Sequence, residues 1–129
     1  MAQIKIYGER GHLDQVRGPL SDILHRTAGE VLGLPADKRF HRFIGLEPED
    51  FVRPPDRSSA YLIIEISLFE GRVAETKKEL LRSLMRGISE GLDIALQDIE
   101  ITIFEAPRAN WGIRGRTGDQ LELSYGIER

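Results

Sequence analysis

One arginine in this 129-residue chain stands where charge chemistry is to be expected. Arg72 closes the run Leu68-Phe69-Glu70-Gly71-Arg72, between an alternating apolar segment and a helical one. A guanidinium is permanently charged, and its planar fork of donors fits a carboxylate. At a strand-to-helix turn it lies near a helix N-terminus, where a cation gains nothing from the macrodipole. Carboxylate binding therefore explains Arg72 better than capping does. The alternative is a surface pair with Glu70 or Glu75. A second cluster, Asp37-Lys38-Arg39, offers one acid and two cations, although adjacent loop charges are commonly just solvated. Trp111 is the only tryptophan, flanked by Gly112 and followed by Arg114 and Arg116. An indole beside arginines can line an anion pocket or stack on an aryl group. It can equally anchor the tail against a neighbouring subunit. His25 lies on or beside an apolar helical stripe and is expected to be a hydrogen-bonded core histidine rather than a catalytic one.

Other chemistries find no support. The chain has 18 basic and 21 acidic residues, a net charge of −3, so nothing advertises a nucleic-acid partner. With no cysteine there is neither a disulfide framework nor a thiolate. Three scattered histidines lack the spacing of a metal site, and no motif calls for a cofactor. No apolar leader or membrane-length stretch is present, so a soluble cytoplasmic protein is expected.

The elements that must position these residues follow from periodicity. Residues 4–7 alternate as a short strand. Val16, Leu20, Ile23, Leu24, Thr27, Val31 and Leu32 then recur at helical steps, with Gly33 and Pro35 as the stop. Pro19 belongs in the first turns or kinks the helix. Residues 40–44 predict a second strand, and the proline-bearing segment 47–57 a loop. Residues 61–68 predict the best strand, 74–92 a second helix, 98–104 a fourth strand and 121–125 a last short one. This order predicts a single domain over 1–129, with pseudo-repeats at about 1–46 and 60–106 and a tail from 107 to 129. The fold class is α/β: a duplicated β-α-β unit, with a four-stranded sheet carrying two helices on one face and a C-terminal short strand or hairpin. The far face of strand 61–68, with Tyr61 and Ile63, is too apolar for water and predicts cover by another subunit.

Residues 66–81 read Ile-Ser-Leu-Phe-Glu-Gly-Arg-Val-Ala-Glu-Thr-Lys-Lys-Glu-Leu-Leu. This resembles the tautomerase-superfamily signature, in which a strand ends in Glu-Gly-Arg and the helix opens with an acid and a lysine. Residues 34–40, 57–60 and Asn110-Trp111-Gly112 are similar to further landmarks of its malonate semialdehyde decarboxylase-like branch. The resemblance implies a homotrimer whose N-terminal proline carries a proton while arginines hold a small carboxylate-bearing substrate. Here Ala2 stands at the proline's place, and removal of Met1 would expose a primary amine instead. Arg72 matches a family arginine, whereas Phe69 occupies the approximate place of another. Lys38 aligns with the acid that activates water in the decarboxylase, and Asp37 lies one position earlier. The resemblance thus implies at most weak or altered keto–enol tautomerase activity on a small 2-oxo acid or its enol. Ala2, Asp37 and Arg72 would be its catalytic groups, and Lys38, Arg39, Phe69, Trp111 and Arg114 would line the substrate. Decarboxylation and hydration are not expected. The alternative is a catalytically silent trimer that binds an anionic metabolite or serves a structural role.

Overall fold

Alternating residues build the sheet. In the computed structural model, which describes residues 2–121, strand β1 (Ala2–Glu9) buries Ala2, Ile4, Ile6 and Gly8 on one face. Strand β3 (Leu62–Phe69) buries Leu62, Ile64, Ile66 and Leu68 in the same way. The two pair antiparallel with Ile4 opposite Ile66 and Ile6 opposite Ile64, so both apolar rows share a face. Strand β2 (His41–Leu46) joins β1 in parallel, and β4 (Ile99–Ala106) joins β3 in parallel. The sheet order is β2-β1-β3-β4.

Helices α1 (Arg10–Leu32) and α2 (Ala74–Leu92) cover the apolar rows with Leu13, Leu20, Leu24 and Leu32 from one and Leu80, Leu84 and Ile88 from the other. Each such fully buried side chain contributes about 1.5–3 kcal/mol. Gly91 lets the helices approach closely: a Cβ there would come within 2.9 Å of Ile23 Cδ1 and push that side-chain end aside. Gly33 ends α1 with φ 70°, and its N–H reaches the Gly29 carbonyl at 2.9 Å.

The boundaries differ from expectation in informative places. Strand β1 is longer than residues 4–7 and runs directly into α1, so Pro19 stands well inside the helix, on its exposed side. Strand β2 starts at His41, and the Phe40 carbonyl instead accepts the Ile4 N–H at 3.0 Å. The tail forms a hairpin of β5 (Gly112–Ile113) and β6 (Arg116–Thr117). Its two-residue turn places Arg114 at φ 51° and Gly115 at φ 81°, the left-handed pair such turns demand. The expected strand at 121–125 is not seen at Leu121, and residues 122–125 lie outside those described. No helix among the described residues is long and apolar enough to cross a membrane.

Candidate functional site

The end of β3 and the start of β1, the two central strands, meet along the rim where those strand ends lie, because the antiparallel register sets Ala2 opposite Leu68; this rim is the β1–β3 edge. Strand β3 then stays paired for one more step, with the Glu70 N–H on the Ala106 carbonyl at 2.9 Å. Gly71 turns the chain at φ 132°, a value that favours glycine, and α2 does not begin until Ala74. Arg72 sits inside this turn. It is only 4% exposed, with Nη1 3.5 Å from the Phe69 carbonyl oxygen. Arg72 is thus buried rather than on the surface, and the Glu75 carboxylate takes the Arg82 guanidinium at 2.7 Å. Keeping a guanidinium out of water is costly, so the burial itself sets Arg72 apart.

Phe69 and Trp111 form one unit beside it. Their rings meet edge to face at 4.9 Å and 74°. Phe69 is fully buried and backs Trp111, which is only partly covered. The reason is local: the chain after β4 folds back across the end of β3, bringing Arg108 within 5.8 Å of the Phe69 ring centre.

Ala2 contributes its backbone to this edge, while its methyl group belongs to the core. The charged trio is more dispersed. Arg39 pairs with Asp22 at 2.7 Å and borders a depression of about 260 Å³ with Gln3, Ile4, Lys5, His41 and Arg42. It therefore lies near the start of β1. Asp37 and Lys38 are exposed in a turn closed by the Lys38 N–H on the Pro35 carbonyl. Arg114 occupies the β5–β6 turn and borders a separate groove of about 430 Å³ with Arg116, Gln120 and Leu121. The fold thus brings Ala2, Phe69, Arg72 and Trp111 to one edge, places Arg39 close to it, and leaves Asp37, Lys38 and Arg114 on exposed turns.

The groups with displaced protonation lie elsewhere. Burial, assisted by Arg39 and His25, lowers His41 to about 4, and its Nδ1 lies 2.7 Å from the Ser21 hydroxyl. His25 is held through Nε2 at 2.7 Å from the Ala36 carbonyl, as a structural histidine would be. Burial, and then the Glu100 carboxylate, pushes Tyr61 up to about 12. At the opposite end of β3, Asp98 accepts the Ser58 N–H and hydroxyl at 2.8 and 2.5 Å and pins the long loop.

Arg108 escaped the sequence reading. Its side chain donates to the Gly118 carbonyl at 3.0 Å and the Leu121 carbonyl at 2.6 Å. The only signal available was the pair Pro107-Arg108 placed directly after an alternating strand.

Comparison with known proteins gives this edge a context. A family profile described as "Tautomerase enzyme" matches residues 38–114. A 2-hydroxymuconate tautomerase of Stutzerimonas stutzeri is 36% identical over 59 residues, covering 46% of this chain and 94% of the relative. A malonate semialdehyde decarboxylase structure superposes with a TM-score of 0.78 at 23% identity, covering 88% of this chain and 92% of the other. A structure described as a fused 4-OT wild-type asymmetric trimer gives a TM-score of 0.80 at 24% identity, covering 91% and 96%. At such identity the structural matches speak for the fold.

Proposed function

The chain belongs to the tautomerase family, and on that premise we propose that its β1–β3 edge binds a small 2-oxo acid or its enol and interconverts the two weakly. The buried guanidinium of Arg72 at the turn after β3 is the observation that carries this reading. A carboxylate presented to Arg72 gains charge-assisted hydrogen bonds in surroundings poor in water. Ketonisation then needs one proton removed from the enol oxygen and one delivered to the adjacent carbon. The α-amino group of Ala2, once Met1 is gone, is the proton carrier at this edge, since an unperturbed α-amine titrates at about 7.7–8. Ala2 offers a primary amine on a flexible residue where the family resemblance places a proline, hence the weak activity. Asp37, on its exposed turn, is the less favourable carrier.

The active form we propose is a homotrimer. Tyr7 and Ile63 lie half-buried on the sheet face away from the helices, and Phe104 is 50% exposed. Light scattering in dilute buffer is expected to give a mass near three chains, and a clean monomer would contradict it.

A silent binder is the second reading, favoured by the Ala2 methyl group lying in the core. One experiment separates the two: phenylenolpyruvate ketonisation, with the N-terminus defined by mass spectrometry. The proposal expects turnover that rises when Met1 is removed. Phenylpyruvate binding without turnover in either form would favour the silent binder.

A further inference from the structure

The geometry points to Arg108 as a positioning residue that sets where Trp111 stands and so shapes the mouth of the site. This rests on the proposed reading of the β1–β3 edge. One side chain makes three separate contacts here. Its Nε donates to the Gly118 carbonyl at 3.0 Å, its Nη2 to the Leu121 carbonyl at 2.6 Å, and its guanidinium stands 5.8 Å from the centre of the Phe69 ring.

The backbone of the same segment is tied around it. The Trp111 N–H reaches the Arg108 carbonyl at 3.2 Å, and the Gly118 N–H reaches the Trp111 carbonyl at 2.6 Å. Gly118 is buried, and a Cβ built there would lie 2.5 Å from the Arg108 carbonyl oxygen. Only glycine allows so close an approach. Trp111 is therefore held from two sides, by the Phe69 ring beneath it and by the returning chain that Arg108 fastens.

Neither hold is strong alone. An edge-to-face pair adds only modestly to the area it buries. Arginine suits the task because its planar fork can stack on a ring while donating in two directions, which a lysine cannot do. Arg108 does not have to meet the substrate in this scheme: it acts through Trp111.

Trp111, the only tryptophan, reports on the arrangement by its own fluorescence. The test compares the full chain with its Arg108→Ala, Arg108→Lys and Gly118→Ala variants. Far-UV circular dichroism confirms that each is folded, and Arg116→Ala serves as a nearby surface control for the emission. Four readouts are taken: Trp111 emission and acrylamide quenching, phenylpyruvate affinity from that emission, and KM and kcat for phenylenolpyruvate. Arg108→Ala is expected to shift emission to the red, increase quenching, and raise both Kd and KM about tenfold with kcat little changed. Arg108→Lys should recover part of this, Gly118→Ala should follow Arg108→Ala, and Arg116→Ala should leave the emission unmoved.

Unmoved emission in Arg108→Ala overturns the proposal. Shifted emission with unchanged Kd and KM also overturns it, because Arg108 then merely fastens the tail. A parent that binds phenylpyruvate without turning over its enol defeats the tautomerase reading instead, and the Kd series still decides the role of Arg108. A parent that does not bind phenylpyruvate overturns both.

Discussion

The two strand-to-helix junctions show how one backbone plan can serve two purposes. After β1 the chain enters α1 without a break, whereas residues 70–73 intervene between β3 and α2. At the first junction Arg10 is exposed, with Nε on Glu47 at 2.9 Å and Nη2 on the Gly45 carbonyl at 3.1 Å. It staples the start of α1 to the end of β2. At the second junction Arg72 is buried under the turn. Both arginines follow an apolar strand; Arg10 opens α1, and Arg72 stands two residues before α2. Burial separates them: Arg72 lies in a turn that Gly71 opens at φ 132°, while Arg10 stands at the start of a continuous helix.

If the second junction holds the site, the largest effect should come from the group that stands beside it. Ala2→Pro, with Met1 removed and its absence confirmed by mass, is expected to raise ketonisation of phenylenolpyruvate by about 10²–10⁴-fold, the usual worth of a placed general acid–base. Decarboxylation of a 3-oxo acid should not appear with it, since Phe69 and Lys38 are unchanged. A folded variant with no gain would take the proton carrier away from this edge.

Strand ends sharpen the contrast. Phe69 closes β3 fully buried, while Glu9 closes β1 with a partial ion pair to Arg53 at 3.5 Å. Phe69→Ala should lose about 3–5 kcal/mol of stability in urea unfolding, through the cavity left beneath Trp111. Glu9→Ala should lose about 1 kcal/mol or less. Similar losses would mean that the tail does not depend on its aromatic anchor.

The parallel outer strands differ as well. Strand β2 opens with His41 and β4 with Ile99. His41 is depressed from 6.5 to about 4, so the unfolded chain binds a proton more readily than the folded one. Its contribution is complete above about pH 6.5 and is lost as pH falls towards about 4. The loss should reach about 2 kcal/mol once partial exposure is allowed for. His41→Gln, measured by urea unfolding at pH 7 and pH 4.5, should flatten that slope. An unchanged slope would move the cause to the half-buried His12, which burial also lowers. The smallest effect belongs to Arg10→Ala, expected to change stability by about 1 kcal/mol or less because its ion pair is exposed.

Much of this frame was legible in the residues. The row Leu62, Ile64, Ile66 and Leu68 faces the core, and α2 spans the 74–92 read from its apolar spacing. Long amphipathic segments declare themselves because many side chains vote for one face. Single residues do not. A short C-terminal strand or hairpin was legible in the glycine-rich tail, but its place at 112–117 was not, because Arg114 adopts a left-handed conformation that its type disfavours. Pro19 inside α1 runs against propensity and is overridden by packing on either side of it. Arg72 stood out as a motif, but its burial, which decides its meaning, depends on chain segments distant in sequence. The neighbours of Phe69 in space, Arg108 and Trp111, lie some forty residues away in the chain, so their contact with it had no local signal.

The central claim is that the buried arginine, not the exposed one, receives a carboxylate. Phenylpyruvate titrated against the parent, Arg72→Ala and Arg10→Ala, with Trp111 emission as the signal, tests it most directly. Arg72→Ala should weaken binding by about 1.5–3 kcal/mol, the worth of a hydrogen bond to a charged group, while Arg10→Ala binds like the parent. Equal affinities in all three, or a loss confined to Arg10→Ala, would contradict the claim.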